Sequence, residues 1–390
     1  MSKMQEILTL NSISPKGIER LSSSLFHVAD DVEAPAGILV RSQNMHEMEL
    51  PESVLAIARA GAGVNNIPLD KCSEAGVVVF NTPGANANAV KELVLLGLLL
   101  SARKIQPAMD WIRTLKGQGA EVPKLVEKGK GQFVGPELLG KKLGVVGLGA
   151  IGVLVANAAA ALGMTVYGYD PYLSVDAAWG LSRETIHAKS LKDIYENCDF
   201  VTLHVPCTTE TKGMINASSI ATMKDGVRIL NFARGELVET SDLLEALDEK
   251  KVAVYVTDFA ADEMLCHKGV VALPHLGAST PESEDNCAKM AVEELQTYLE
   301  TGNIVHSVNL PQVSLPKSTP CRICVIHKNV SGVINKLSSV LAEDGLNIEN
   351  MVNASKKDYA YSIFDVAQAV GDDLVGKLNV IPDVIRVRVL

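Results

Sequence analysis

The chain has 390 residues, of which 47% are apolar and 21% charged, with a formal net charge of −10. That length is more than one hydrophobic core supports and calls for two or three domains, while the composition excludes a disordered or fibrous protein. The negative balance argues against a nucleic-acid surface, so arginines that meet an anionic substrate have to be placed locally.

The first 92 residues alternate short apolar runs ("EILTL", "GILVR", "VLAIARA", "GVVVFNTPG") with helical patterns, which predicts a small parallel α/β domain. A long apolar helix is expected at about 87–104. Its core, "LVLLGLLLSA" (93–102), is roughly half of what a bilayer span requires, and so reads as a buried core or interface helix. A second series of near-continuous apolar strands follows: "KLGVVG", "TVYGYD", "DFVTLHVP", "VRILNFARG", "VAVYVTD" and "VVALPHLG". Runs of this kind suit parallel strands covered on both faces. A helix is predicted over 283–302, with Gly302 as its stop. The proline-rich stretch "NLPQVSLPKSTP" (309–320) reads as a linker. Beyond it the pattern is βαββαβ, the ferredoxin-like split arrangement.

No basic-then-apolar start with a cleavage site is present, which argues against export. The seven cysteines are scattered, as expected in the reducing cytoplasm. Cys321 and Cys324 form a C-x-x-C within an expected strand, where an odd spacing sends the side chains to opposite faces. Buried structural thiols are expected there, and no metal site is expected anywhere.

The strongest local signal is "VVGLGAIGVLVANAAAALGMTVYGYD". Gly147, Gly149 and Gly152 stand in G-x-G-x-x-G spacing between a strand and an Ala-rich helix, and Asp170 ends the next strand 18 residues after Gly152. The glycines permit a tight turn, backbone approach to a pyrophosphate, and close packing of helix on strand. An acid at Asp170 accepts hydrogen bonds from ribose hydroxyls and repels a 2′-phosphate, which predicts NAD as cofactor.

Ligands of open parallel sheets bind beyond the carboxyl ends of the strands. Asp170, His204, Arg234, Asp258 and His275 each fall at or just past such an end. Oxidation of a hydroxy acid needs a cation for the carboxylate, a base for the hydroxyl proton and a group that orients the base. Arg234 offers a planar fork for a carboxylate, and His275 can exchange a proton near neutral pH. The stretch "TDFAADEM" (257–264) supplies three candidate carboxylates for the orienting role: Asp258, Asp262 and Glu263.

"GLGAIG", "GYDP", "LHVPCTTETKGMIN", "NFARGE" and "PHLGAST", with "NTPGANANAVKE" and "ARAGAGVNNI" earlier on, resemble the NAD-dependent D-2-hydroxyacid dehydrogenases over nearly all of residues 1–310. The last 70 or so residues resemble an ACT regulatory domain. The resemblance implies two doubly wound parallel-sheet domains and a βαββαβ ACT domain. The substrate domain would be flavodoxin-like (1–92 and 282–310), followed by a Rossmann cofactor domain (93–281), a linker (311–319) and the ACT domain (320–390). The split substrate domain would hinge to exclude water.

Carried over by position, the resemblance makes Arg234 the substrate-orienting arginine and His275 the acid/base. The pattern D-V-F-x-x-E-P places Asp258 on the nicotinamide side and Glu263 as the partner of His275, leaving Asp262 in solvent. Cofactor contacts fall on Gly147, Gly149, Ala150, Ile151, Gly152, Asp170, His204, Val205, Pro206, Phe232, Ala233, Arg234, Asp258, Leu276, Gly277 and Ala278. Substrate contacts fall on Arg41, Ser42, Arg59, Ala60, Gly61, Arg234 and His275, with Arg41 and Arg59 at the anionic end of a phosphorylated acid. The branch of the family with a C-terminal ACT domain acts on 3-phosphoglycerate. There His327, Asn329 and Asn347 match positions that bind an L-serine effector, and a homodimer or homotetramer is expected.

The chain departs from the pattern at Met264, in place of proline, and at Ala260, in place of an aromatic residue. "VNN" (64–66) replaces the commoner V-D-N, and Ala62 a frequent Thr. These are packing and loop changes that leave the reacting groups in place. The rival readings are a dehydrogenase of glycerate, hydroxypyruvate or lactate, and an NAD-sensing binding protein like the corepressors that share the fold.

Overall fold

In the computed structural model, residues 4–390 are described, and the first three residues of the expected first domain lie outside them. The chain divides into two compact units: residues through Asn86 together with Pro281–Leu390, and Ala87–Thr280.

In the first unit, β1 (Gln5–Leu10), β2 (Phe26–Ala29), β3 (Gly37–Val40), β4 (Ala56–Arg59) and β5 (Val78–Phe80) form a parallel sheet in the order β2-β1-β3-β4-β5. This is the flavodoxin-like order, in which the chain reverses direction between β1 and β3. β3, "GILV", is buried at every position, as a central parallel strand requires. One face packs on the helix Pro281–Thr301 through Ala288, Ala291, Val292 and Leu295.

The same unit holds an antiparallel sheet of β13 (Cys321–Lys328), β14 (Ile348–Lys356), β15 (Tyr359–Val366) and β16 (Val384–Val389), in the order β14-β15-β13-β16. With the helices Val333–Glu343 and Asp372–Asn379 it makes the βαββαβ unit. Cys321, Ile323 and Val325 pack under these helices, whereas Cys324, Ile326, Tyr361 and Ile363 join the core of the first sheet. The two cysteines are free and on opposite faces. The proline-rich segment before β13 is packed: Leu310 and Val313 are buried, and Val313 pairs with Ile304.

Side chains of the C-terminal sheet take up the carbonyls at the end of the helix Pro281–Thr301. Arg322 donates to Thr301 O at 2.8 Å, and Tyr361 Oη to Gly302 O at 2.7 Å. Arg388 donates to Tyr298 O and Leu299 O. Arg322 also forms a two-pronged pair with Asp365 at 2.6 and 2.8 Å, and both residues are fully buried. Removing one member of such a pair strands the other charge, at a cost of about 3–5 kcal/mol.

In the second unit, β6 (Lys142–Val146), β7 (Thr165–Tyr169), β8 (Ile186–His187), β9 (Phe200–Leu203), β10 (Val227–Asn231), β11 (Val252–Thr257) and β12 (Val270–Ala272) form a parallel sheet. Their order is β12-β11-β10-β9-β6-β7-β8. The strand order reverses between β6 and β9, which places the ligand crevice there. The helix Ala87–Ala102 buries Val90, Val94 and Leu98 against this unit's core but leaves Leu96 and Leu99 exposed.

One buried acid couples the first unit's stability to pH. Glu294, on the helix Pro281–Thr301, has Oε1 2.7 Å from His306 Nδ1 and Oε2 buried without a partner. Burial pushes its carboxyl up to about 9. The contact with His306 is therefore made by an acid that burial keeps protonated at neutral pH. An unfolded glutamate titrates near ~4.3, so this group's contribution is full below that pH and is lost as pH rises toward about 9. Glu294→Gln should flatten the fall in thermal midpoint between about pH 5 and about pH 9 and be the more stable form at the alkaline end. Parallel melting curves for the two proteins would contradict this assignment.

Candidate active site

The turn after β6 is built by contact distances that only glycine satisfies. Gly147 has φ of 90°, and a Cβ there would lie 2.5 Å from His204 O. A Cβ on Gly152 would lie 1.9 Å from Gly147 O. Gly149 differs: nothing comes within 4 Å of its would-be Cβ, so the backbone at the start of the helix Ala150–Ala161 is open. That helix has no side-chain N-cap, and Gly149 and Ala150 are exposed. Uncapped N–H groups at an open helix start suit a phosphate. Ile151 is half-buried behind them.

Asp170 holds this turn from the end of β7. Its Oδ2 accepts from Leu148 N and its Oδ1 from Tyr172 N, both at 2.8 Å. Each oxygen keeps a lone pair, so a fixed carboxylate remains able to accept ribose hydroxyls. Across the switch point, His204 N donates to Val146 O at 2.7 Å, and its ring Nε2 lies 3.0 Å from Thr202 Oγ1. Burial pushes the His204 imidazole down to about 4, so it is neutral at physiological pH. Val205 is half-buried and Pro206 exposed.

The ends of β10, β11 and β12 bring Arg234, Asp258 and His275 together. Asn231, fully buried at the end of β10, uses its whole carboxamide. Nδ2 donates to Arg234 O at 2.8 Å and to Tyr255 Oη at 3.2 Å, while Oδ1 accepts from Ala233 N and Arg234 N. Thr257, also fully buried, donates to Asn231 O and accepts from Phe259 N, each at 3.0 Å. Its carbonyl accepts from Leu273 N at 2.8 Å, which ties in the segment leading to His275. Arg234 is exposed, with Nη1 on the Ala233 carbonyl, while Phe232 is buried and Ala233 half-buried.

Asp258 is 4% exposed, and its Oδ1 is buried without a partner. Burial raises the carboxyl above its usual range, opposed by the charge of His275, the Gly277 backbone N–H and the charge of Arg234. An unsatisfied buried acceptor beside the glycine turn's sheet edge fits the amide of a nicotinamide. Leu276 is exposed, Gly277 buried and Ala278 half-buried in the turn after His275.

His275 is exposed, and its ring lies 4.7 Å from that of Phe259, centroid to centroid. Glu263 is exposed on the short 3-10 turn Asp262–Met264, and no hydrogen bond or ion pair joins it to His275 among the described residues. Met264 is buried and anchors this turn in the core, while Asp262 is exposed.

In the other unit, β3 and β4 are paired with Val40 opposite Arg59, so Arg41 and Arg59 lie at adjacent strand ends. Arg41 Nη2 is 2.7 Å from Glu284 Oε1. The Arg59 guanidinium lies against the backbone of Gly61, where a Cβ would be 2.1 Å from Nη1. Ser42 is exposed, and its N–H donates to Asn11 Oδ1. Ala60 is buried and Gly61 half-buried. In the C-terminal sheet, His327 is buried, with Nε2 3.0 Å from Ser362 Oγ. Asn329 donates to Lys357 O and Asn347 to Glu349. His327 and Asn347 are at opposite ends of the sheet within the chain, since His327 pairs with Ala360 and the strand after Asn347 begins opposite Val366.

Asn231, Thr257 and Phe259 escaped the sequence reading. The available signal was a polar residue closing an apolar strand, visible in "RILN" and "VYVT".

Residues 95–278 match the D-isomer specific 2-hydroxyacid dehydrogenase, NAD binding domain. The chain is 33% identical over 337 residues to the D-3-phosphoglycerate dehydrogenase of Bacillus subtilis, covering 83% of this chain and 60% of that protein's length. With the Haemophilus influenzae enzyme of the same name it shares 32% over 367 residues, covering 91% of this chain and 86% of that one. A solved structure of cofactor(NAD+)-bound 3-phosphoglycerate dehydrogenase from Entamoeba histolytica is similar with a TM-score of 0.58 and 25% identity, covering 79% of this chain and 99% of that one. Among the described residues no helix is long and apolar enough to cross a membrane.

The two kinds of glycine should separate experimentally. Gly149→Ala should leave the thermal midpoint unchanged and weaken NAD binding at least tenfold (about 1.4 kcal/mol), measured by titration calorimetry. Gly152→Ala should lower the midpoint itself, because its Cβ meets backbone. Equal effects of the two on stability would refute this division.

Proposed function

We propose a function from one premise: the chain belongs to the D-isomer specific 2-hydroxyacid dehydrogenases. It oxidises 3-phospho-D-glycerate to 3-phosphohydroxypyruvate with NAD, the first step of L-serine biosynthesis. The observation that carries this reading is the likeness to the two curated D-3-phosphoglycerate dehydrogenases over most of this chain. The shared edge holding Arg234, Asp258 and His275 beside the glycine turn supports it.

The residues divide the work. Arg234 holds the substrate carboxylate in its planar fork. His275 takes the proton of the 2-hydroxyl onto its imidazole as the carbonyl forms at C2. NAD, when bound, supplies the acceptor for the hydride that leaves C2. The open helix start after Gly149 and Asp170 hold its phosphate and ribose ends, and Asp258 accepts from its amide. Arg41 and Arg59 take the substrate phosphate, for which Arg41 has to exchange Glu284. Glu263 is assigned the partner of protonated His275 from the family pattern; catalytic pairs of this kind often tighten only with substrate present.

The C-terminal unit is an ACT domain that binds L-serine through His327, Asn329 and Asn347, with Asn347 contributed by a second copy of the chain. That arrangement is supported by the positions of these residues at opposite ends of the sheet. It goes with a homodimer or homotetramer, and the exposed Leu96 and Leu99 give such an assembly an apolar surface. The seven free cysteines support a cytoplasmic location.

With purified chain and NAD, 3-phosphoglycerate should be oxidised in preference to D-glycerate and D-lactate, followed by NADH absorbance. His275→Ala should lower kcat by about 10²–10⁴-fold. Arg41→Ala or Arg59→Ala should raise KM for the phosphorylated acid and leave that for glycerate unchanged. Full activity in His275→Ala rejects the mechanism, and a preference for an unphosphorylated acid rejects the substrate. Separately, L-serine should inhibit the enzyme, and Asn347→Ala should abolish that inhibition at unchanged uninhibited rate. Insensitivity of the parent enzyme to serine rejects the regulatory part alone.

A further inference from the structure

The His275 imidazole sits on an exposed turn with no side-chain hydrogen bond to a carboxylate among the described residues. A free ring there would sample several rotamers, and each productive encounter would have to freeze one. Among the described residues its ring contact is Phe259, at 4.7 Å between centroids and 56° between planes. Those values lie within the range of favourable tilted aromatic pairs.

Phe259 is itself fixed from two sides. Its N–H donates to Oγ1 of the fully buried Thr257 at 3.0 Å. Its Cβ lies against the turn after Arg234, where a Cβ built on Gly235 would come within 3.3 Å of it. The same side chain therefore spaces the arginine turn from the histidine. The family pattern has its aromatic residue one position later, where this chain has Ala260, so the ring here stands at a different position of the turn.

We infer that Phe259 is a positioning residue for His275, holding the imidazole in its working orientation before substrate binds. The inference rests on the proposed role of His275. The charged groups at the neighbouring strand ends are the Asp258 carboxylate, whose charge interacts with that of His275, and the Arg234 guanidinium, which also acts on Asp258.

Two measurements on the full chain decide it. In histidine-labelled protein, the His275 imidazole proton resonances, identified by their loss in His275→Gln, should be displaced by the Phe259 ring and should move toward free-histidine positions in Phe259→Leu. In steady-state assays, Phe259→Leu should lower kcat about tenfold with KM and NAD affinity within about twofold, and Phe259→Tyr should restore the rate. Unmoved resonances, or a parental kcat in Phe259→Leu, would overturn the inference. Displaced resonances in a parent chain that oxidises no hydroxy acid would support the ring contact and reject the proposed function instead. A Phe259→Leu protein with a lowered thermal midpoint and no rescue by tyrosine would assign the ring a packing role and overturn the inference too.

Discussion

A parallel sheet leaves its carboxyl edge with unfinished hydrogen bonding, and the second unit closes that edge with buried side chains. Asn231 and Thr257 do most of it. One carboxamide binds three backbone groups and a tyrosine hydroxyl, and one hydroxyl joins two strand ends. Both are fully buried, so either loss would leave several polar groups dry and unpartnered. The positions of Arg234, Phe259 and the segment leading to His275 all follow from this network. The exposed Arg234 and His275 are thus carried by segments anchored in a buried polar frame.

Electrostatics then divide the site by solvent exposure. Asp258 is buried and its carboxyl is raised, yet two cationic or cationisable groups and an amide oppose that rise. His204 is held neutral by burial. Charge is concentrated where Arg234, Asp258 and His275 meet, and the crevice between β6 and β9 is lined by backbone N–H groups and a neutral ring. A dinucleotide fits such a division, with its phosphates toward amides and its reactive end toward ionisable side chains.

Much of this was legible in the sequence. The glycine spacing, Asp170 and the polar strand ends follow from rules of period and turn chemistry, and each occurs where those rules place it. What resisted reading was anything set by tertiary contact. Nothing in "TDFAADEM" announces that Met264 would bury and leave Glu263 exposed, or that Phe259 would meet His275. The proline-rich segment before β13 has linker composition, yet Leu310 and Val313 enter the core, because two apolar side chains outweigh a polar average. The Asn231 carboxamide folds back on Ala233 and Arg234, a local turn, but its burial and its bond to Tyr255 Oη come from the neighbouring strand, which no pattern along the chain marks.

The end of the helix Pro281–Thr301 has a consequence for how such chains are assembled over evolution. Its last carbonyls are satisfied by Arg322, Tyr361 and Arg388, all from the C-terminal sheet. A sheet acquired as an exchangeable cassette would meet its host through a tether and a mutable surface. Here the host helix has ceded its own capping to the appended unit, and Arg322 is locked in place by Asp365. Swapping in another C-terminal module would remove those donors together, so the two parts are joined by side-chain hydrogen bonds as well as by the intervening chain.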